Sequence, residues 1–511
     1  MGGDQQHSTG REVPSALAWG LIARILIAVL GIASNALIVR ALGNYHYGVY
    51  SLFLNIARFL SLAIGLGFPP AILQFLPEMR VKGNALGARQ LLVRAVLFQF
   101  GAWVILLPVV FLLRGWLSEL LHADLTGILL LGAALLVFEM VWITLTHVHM
   151  ALRLMRRLTV VSVAQRVLLI ALVLLLVVHL KLRVPGVLYA VAGSLLVGGL
   201  LLGRGLPRMM PWAKGDQGPG LPTGRLMKYA VPFVVGSLVN QVLWRSSETL
   251  IIGYYWTPRE VGYFNAAYNL PQLILEFIPL AIWPIILASL AEVHAQESEK
   301  LLRGVRLYFR LLVVLVVPFA ISGAVLGGQA YRILYTRSMD PGVPICQCFF
   351  LIFLLSFIVN PLRAALYVKE RTMANTMITA AGAIVNVAFD FVFIPRYGIW
   401  GAVPPVAIAL VVTGILQYVV AKRALPDLKL PWGHVLKVLA GSIVVLPLWF
   451  IRTRLEDVLL FGVVLTGATL AQYFLLRLMR VFGSEERDIL LQSNLPMRRL
   501  IADLLAPKDR S

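Results

Sequence analysis

The stretch ALGNYHYGVYSLFLNIARFL, residues 41–60, decides how the whole chain is interpreted, because it joins two apolar runs and carries a charge. Gly43 and Gly48 punctuate an elbow that also contains tyrosines, and the apolar run that follows is long enough for a helix. Arg58 lies about eleven residues into that run, which at 1.5 Å per residue is a depth of about 15 Å. The stretch therefore predicts a membrane helix with a charge near the bilayer centre.

The composition of the chain agrees with a membrane protein. Of its 511 residues, 59% are hydrophobic and 14% are charged, and the mean hydropathy is +0.84, far too apolar for a soluble globular protein. The formal net charge of +21 comes from short basic clusters between apolar runs, so we expect no nucleic-acid partner. Cys346 and Cys348 lie in an apolar run without a histidine pair, which indicates neither a disulfide framework nor a metal site.

Length, helix breakers and charge predict an all-α polytopic membrane protein with about 14 spans. The spans cover residues 15–42, 47–77, 91–113, 125–151, 158–180, 184–203, 227–253, 261–291, 307–330, 343–368, 373–395, 398–421, 434–451 and 457–478. The Pro- and Gly-rich segment 203–225 predicts a linker. We expect four parts: an N-terminal lobe (1–203), a cytoplasmic linker (204–226), a C-terminal lobe (227–421), and the last two spans with a cytoplasmic tail (422–511).

Lysine and arginine are unequally shared between the alternate connections. The side that includes both termini holds about 27 basic residues and the other side about nine. This bias predicts that both termini and the linker are cytoplasmic, in a multi-pass protein of the cell membrane. The short polar N-terminus has no small-residue cleavage site, so the first helix is expected to be retained.

Two matches at nearly one spacing indicate an internal repeat. GVYSLFLN at 48–55 aligns with GYFNAAYN at 262–269, and VPGVLYAV at 184–191 aligns with RYGIWGAV at 396–403. Six spans per repeat would give both halves one orientation and an axis along the membrane normal. Such duplicated bundles are typical of transporters that rock one half against the other; the alternative is a duplication that only enlarged a scaffold.

Several segments resemble the polysaccharide-export and O-antigen (Wzx-like) flippases of the superfamily that also contains multidrug and toxin extrusion (MATE) transporters and the lipid II flippase. They are IVRALG, YHYGVYS, LFLNIARFLSLAIGLGFPPAILQFLPE and IPRYGIWGAVPPVAIALVVTGIL. The resemblance implies a V-shaped pair of six-helix lobes whose first two helices each line a cleft, here spans 1, 2, 7 and 8. It also implies that spans 13 and 14 offer a groove for a lipid tail.

Ionisable residues inside the spans are candidate site residues, because a charge at mid-membrane costs several kcal/mol. Arg24 and Arg58 fall at similar depths on adjacent spans, and Arg245 lies on a span that lines the cleft in the resembling family. Guanidinium groups bind phosphate in bidentate fashion, so these arginines predict a site for a pyrophosphate. The alternatives are that Arg24 or Arg58 snorkels or pairs with a structural carboxylate.

Carboxylates within the spans are candidates for ion coupling. Glu276 lies mid-span in a helix interrupted by prolines, and it could bind H⁺ or Na⁺ or pair with an arginine across the cleft. Glu248 is three residues from Arg245 and is a weaker candidate, since the pair can neutralise itself. Glu139 and Arg166, at comparable depths on consecutive spans, are expected to form a structural ion pair.

The leading hypothesis is a transporter, not an enzyme, that flips a lipid-linked oligosaccharide on a polyprenyl pyrophosphate carrier by alternating access. No cofactor is expected, and no GxxxxGK[ST] segment for ATP is present. The alternatives are a cation-coupled multidrug antiporter, a flippase-like subunit that works with polysaccharide assembly proteins, and a polytopic glycosyltransferase or polymerase. The last lacks support, since no HxxxxD or DxD arrangement lies in a large connection.

Overall fold

The computed structural model describes residues 5–206, 210, 218–241, 247–296, 298–481 and 487. Described side chains begin at residue 26 and omit several between 232 and 240 and between 277 and 300, as well as those at 356, 357 and 453. Throughout the described ranges the secondary structure is helical, without a strand. The all-α prediction is confirmed.

Seventeen α-helices follow one another along the described chain. They are α1 (Gln5–Gly65), α2 (Phe68–Val81), α3 (Ala85–Leu120), α4 (Thr126–Ala151), α5 (Met155–Val173), α6 (Arg183–Gly203), α7 (Thr223–Gln241), α8 (Ser247–Tyr255), α9 (Pro258–Gln296), α10 (Ser298–Leu334), α11 (Val343–Ile352), α12 (Ser356–Val368), α13 (Thr372–Tyr397), α14 (Val403–Ala424), α15 (Trp432–Ser442), α16 (Leu448–Ile451) and α17 (Val458–Leu478).

Ten helical stretches within the described residues are long and apolar enough to cross a bilayer. Two of them, at 40 and 53 residues, are too long for one crossing, which takes about 20 residues. The first overlaps predicted spans 15–42 and 47–77 and bends at Gly43, where φ is 69°; the second contains spans 373–395 and 398–421 and bends at Gly398, where φ is 60°. The predicted 47–77 helix is not continuous, because α1 ends at Gly65 and α2 begins at Phe68 after Gly67, where φ is 73°. The helices α7, α8 and α9 overlap the two remaining predicted spans, 227–253 and 261–291. The predicted elbow in residues 41–48 bends at Gly43.

The chain divides into two compact units, Met1–Gly262 and Tyr263–Ser511. In the first unit, the end of the Pro- and Gly-rich segment docks on α3. The Arg94 guanidinium donates to the Leu221 carbonyl at 2.5 Å, and the Leu221 N–H donates to the Gln90 side chain at 2.9 Å. These bonds tie residues 220–221 to α3 just before α7 begins. The predicted end of the N-terminal lobe at residue 203 and the predicted start of the C-terminal lobe at residue 227 stay predictions.

A carboxylate at the end of α2 adds a second tie to α7. Glu78 pairs with Lys82 at 2.7 Å and with Arg225 at 2.8 Å. The hydrogen bonds from Lys82 and Arg225 lower the pKa of the Glu78 carboxyl below its ordinary value. Arg225 also lies 5.0 Å from the centre of the Phe75 ring. The start of α7 is therefore attached to both α2 and α3.

In the second unit, α10 is the central helix. Val313, Val316 and Val317 on this helix are fully buried, as expected for a helix that is apolar on most of its surface and packed by neighbours. The two C-terminal spans pack on it: Val325 and Leu326 join a buried cluster with Phe461 of α17. A hydrogen bond of 3.0 Å from Ser322 to Gln472 adds a polar contact between α10 and α17.

The two glycines that the repeat aligns, Gly48 and Gly262, pack on each other in the first unit. A Cβ on Gly48 would overlap the Pro258 carbonyl oxygen and lie 3.1 Å from the Gly262 nitrogen; a Cβ on Gly262 would overlap the Asn44 carbonyl oxygen and lie 3.2 Å from the Gly48 nitrogen. The contact is thus nearly reciprocal. The elbow of α1 and the start of α9 approach to a distance that only glycine allows.

We expect Gly48→Ala to destabilise the protein by about 1–3 kcal/mol, because the added methyl group must displace backbone atoms. The measurement is the thermal unfolding midpoint in detergent. The matched control is Gly101→Ala in α3, where a Cβ meets nothing within 4 Å and the helix gains propensity. Equal midpoints for the two variants would contradict the close-approach interpretation.

Candidate functional site

Arg58 lies in the second half of α1, beyond the Gly43 bend, and its side chain is exposed at the surface of the first unit. Its Nη1 is 3.5 Å from Oδ1 of Asn55, one turn earlier. Asn55 itself is buried and donates to the Ser51 carbonyl at 2.9 Å. The geometry therefore fixes the amide of Asn55 within α1 and directs its oxygen to the guanidinium.

Glu139 of α4 is a carboxylate in the neighbourhood of Arg58. It lies within electrostatic range of Arg58 and accepts a hydrogen bond of 3.0 Å from the Ser61 hydroxyl. Arg58 and Ser61 are three residues apart and so share a face of α1. That face carries both a cation and a hydroxyl toward one carboxylate on α4.

The expected pairing of Glu139 with Arg166 is wrong. Arg166 of α5 lies within electrostatic range of the Tyr50 hydroxyl, and the Glu139 carboxylate interacts with Ser61 and Arg58. The reason is that α1 packs on both α4 and α5, so its own polar side chains reach the charges on those helices. The equal depth of Glu139 and Arg166 on consecutive spans does not show that a third helix, α1, packs against both of those spans.

Tyr50 joins these groups into one polar cluster inside the first unit. Its buried hydroxyl interacts electrostatically with Arg58, Glu139 and Arg166, and its ring lies 6.5 Å from that of Tyr47. We call Tyr50, Arg58, Ser61, Glu139 and Arg166 the arginine cluster. It contains two guanidinium groups and one carboxylate.

A second charged cluster lies inside the second unit. Glu276 of α9 is half-buried and lies within electrostatic range of Arg363 of α12, which is also near Tyr308 and Tyr367. The Arg363 Nε and the Tyr308 hydroxyl are buried polar atoms without a hydrogen-bond partner among the described residues. Glu276 is therefore close to a cation on its own unit.

Sequence reasoning missed Arg363. The residue lies six positions before Lys369, at the end of a predicted span, where a long basic side chain ordinarily reaches the membrane surface. The available signal was its isolation in the apolar run PLRAALYV. The proximity of Arg363 to Glu276 of α9 could not be predicted from that run.

Two more carboxylates are buried within the described helices. Glu248 of α8 is only 4% exposed and accepts from the Ser247 hydroxyl at 3.3 Å. Asp390 of α13 is fully buried, and its Oδ2 lies 3.5 Å from the Asn386 amide nitrogen. The side chain of Arg24 and all of Arg245 lie outside the described residues, so their expected roles stay predictions.

The apolar helices and the fold define a multi-pass membrane protein. Residues 16–288 match the family model described as "Polysaccharide biosynthesis protein", which is more than half of the chain. The chain therefore belongs to the polysaccharide biosynthesis protein family, as its resemblance to the polysaccharide-export flippases predicted. A comparison with curated proteins finds no match.

Solved structures show the same fold at low sequence identity. The lipid II flippase MurJ, in an inward closed conformation, is 13% identical with a TM-score of 0.67, covering 89% of this chain and 97% of that one. An inward-facing multidrug resistance MATE family transporter of the MOP superfamily is 16% identical with a TM-score of 0.63, covering 80% and 98%. A MOP superfamily transporter from Pyrococcus furiosus is 15% identical with a TM-score of 0.58, covering 81% and 96%.

We expect Arg58→Gln and Glu139→Gln to be non-additive, because each removes one partner of the same interaction. The coupling should be about 0.5 kcal/mol or more, measured as the free energy of unfolding of both single variants and the double variant in detergent. The control pairs Glu139→Gln with Arg94→Gln, since Arg94 donates to Leu221 instead. Additive effects for Arg58 and Glu139 would show that the two charges do not interact.

Proposed function

We propose that the chain flips a lipid-pyrophosphate-linked oligosaccharide or polysaccharide precursor across the cytoplasmic membrane by alternating access. Family membership supports a role in polysaccharide biosynthesis. The fold shared with a protein named as a lipid II flippase supports a lipid-linked substrate. The proposal assigns movement of the substrate, without a chemical reaction, to this chain.

The position of Arg58 is the observation that carries the proposal. The guanidinium is exposed on its unit, yet it lies about 15 Å from the start of its span, near the bilayer centre. Exposure to hydrocarbon there would cost at least about 2.5–3.5 kcal/mol. The surface that presents Arg58 therefore faces a water-filled path, and a fixed cation beside such a path attracts an anion.

The arginine cluster suits a pyrophosphate. Arg58 remains charged at any physiological pH and can donate two parallel hydrogen bonds to phosphate oxygens. Glu139 serves as its counter-ion in the absence of substrate, and the Ser61 hydroxyl holds that carboxylate when the arginine turns to the phosphate. In this scheme the headgroup moves along the polar path, while the polyprenyl chain stays in the lipid.

The finer assignments belong to the same proposal. Both termini lie in the cytoplasm, as the distribution of lysine and arginine favours. Arg24 and Arg245 contribute further positive charge to the path, and polysaccharide assembly proteins receive the translocated precursor. The carrier is a polyprenyl pyrophosphate, since the proposed site selects for that headgroup.

A cation-coupled multidrug antiporter is the second candidate. The buried carboxylates Glu248 and Asp390 are groups that could attract a cation, and a MATE family transporter shares the fold. An exposed arginine at mid-membrane would repel a cationic drug, which favours the flippase.

Coupling to H⁺ or Na⁺ is proposed at Glu276. Its carboxylate lies within electrostatic range of Arg363, so gain of a cation at Glu276 would weaken the attraction between α9 and α12. Loss of the cation would restore that attraction. Such an exchange can link a gradient to the packing of the second unit. Glu248 is the weaker coupling candidate, because the Ser247 hydroxyl already holds its carboxylate.

We expect Arg58→Ala and Arg24→Ala to lower the rate of substrate transfer by tenfold or more, since a charge-assisted hydrogen bond contributes about 1.5–3 kcal/mol. The measurement is the transfer of a fluorescent polyprenyl-pyrophosphate oligosaccharide between leaflets of proteoliposomes. Arg58→Lys should recover part of the rate, because it keeps the charge without the bidentate geometry.

The control is Arg94→Ala, which removes a guanidinium from the neighbouring α3 that is bound to the Leu221 carbonyl. Transfer by the wild type that survives both Arg58→Ala and Arg24→Ala would retain the function and reject the site. Absence of wild-type transfer, together with uptake of a cationic drug, would favour the antiporter.

We expect Glu276→Gln to abolish the acceleration of transfer by an imposed ion gradient while basal transfer persists. The neutral side chain mimics a carboxylate that is permanently protonated. Rates are compared with a H⁺ gradient, a Na⁺ gradient and neither, for wild type, Glu276→Gln and Glu248→Gln. Full gradient acceleration in Glu276→Gln would reject this residue as the coupling site.

A further inference from the structure

A basic pocket lies in the second unit, and none of its lining residues belongs to either charged cluster described above. Its volume is about 420 Å³, and it is formed by α10, the start of α15 and the residues just after α17. Arg310, His434, Lys437 and Arg480 line it. None of the described residues that line the pocket is acidic. An excess of at least three positive charges around one concave surface is suited to an anion.

The pocket walls are held together by a defined contact. Nε2 of His434 lies 3.3 Å from the Arg310 carbonyl oxygen, and because a carbonyl only accepts, the ring nitrogen is the donor. This bond attaches the start of α15 to α10. Residue 433, a glycine, lines the pocket in the first turn of an eleven-residue helix, where the positive end of the helix dipole adds to the attraction for an anion.

The location of the pocket favours a lipid over a soluble anion. Trp432 and Leu436 of α15 are 51% and 67% exposed, and Ile443, directly after α15, is 55% exposed, although all three are large and apolar. Leu436 precedes Lys437 directly, so an apolar outer stripe runs beside the basic wall. Tryptophan at the end of such a stripe is typical of a membrane interface.

We infer that this pocket binds the phosphate headgroup of an anionic phospholipid, whose acyl chains lie along the apolar stripe of α15. Basic pockets between membrane helices on the cytoplasmic side bind such headgroups in other proteins, and the Lys and Arg bias predicts this side for the start of α15. The inference does not depend on the flippase proposal, because none of its residues belongs to the arginine cluster.

The test is a lipid titration of the purified full-length protein in a neutral detergent. Phosphatidylglycerol, phosphatidylcholine and inorganic phosphate are added separately, and the rise of the thermal unfolding midpoint gives an apparent affinity for each. The site variant combines Lys437→Gln with Arg480→Asn; asparagine is chosen because residue 480 has a φ of 46°, a conformation that asparagine tolerates. Both side chains are exposed, so the variant is expected to fold, and its midpoint without lipid verifies this.

The matched control combines Lys429→Gln with Arg477→Asn, which removes the same charge from exposed residues near the pocket that do not line it. We expect phosphatidylglycerol to stabilise the wild type and the control alike, with an apparent affinity at least tenfold lower for the site variant. Phosphatidylcholine and inorganic phosphate should have little effect on any of them.

Each other outcome would overturn the inference. Equal weakening in the site variant and the control would show attraction to general surface charge. Stabilisation by phosphatidylcholine would show that the headgroup charge is not recognised. Binding of inorganic phosphate as tight as that of phosphatidylglycerol, lost in the site variant, would show a soluble-anion site instead of a lipid site.

Discussion

The constraint on which the structure depends is that a charge inside a bilayer must be paired, solvated or both. Arg58 meets this constraint through α1 and α4 together. Its own helix supplies Asn55 and Ser61, and α4 supplies Glu139, which Ser61 holds at 3.0 Å. The exposed guanidinium still requires water beside it. The polar side chains of α1 and α4 around Arg58 are arranged as this constraint requires.

The two units differ in how their charged groups inside the helices are paired and exposed. In the first, the arginine cluster has more cations than carboxylates and presents one of them at the surface. In the second, Arg363 lies within electrostatic range of the half-buried Glu276, and Asp390 is fully buried beside Asn386. The proposed roles follow this difference: anion binding is proposed at the exposed arginine of the first unit, and ion coupling at the carboxylate of the second. The two units thus offer different chemistry on one kind of helical scaffold.

Close backbone packing complements the charges. Gly48 and Gly262 let the elbow of α1 and the start of α9 approach so closely that a Cβ on either glycine would lie 3.1 or 3.2 Å from the nitrogen of the other. Membrane helices gain little from burial of apolar surface against each other, so close contact between small residues supplies the packing energy instead. The bend at Gly43 places this contact at the end of the span that carries Arg58.

The sequence by itself determined the helical class, the spans, the elbow at residues 41–48 and the intramembrane charges, because bilayer thickness sets the length of an apolar helix and charges interrupt it visibly. It also indicated the family through local segments. Only the tertiary structure decided which charges are neighbours: Glu139 lies within electrostatic range of Arg58, and Glu276 lies within electrostatic range of Arg363. The depth of a residue follows from counting along one helix, whereas its partner depends on how neighbouring helices are placed and rotated. That placement is set by packing across the whole unit, which no single span records.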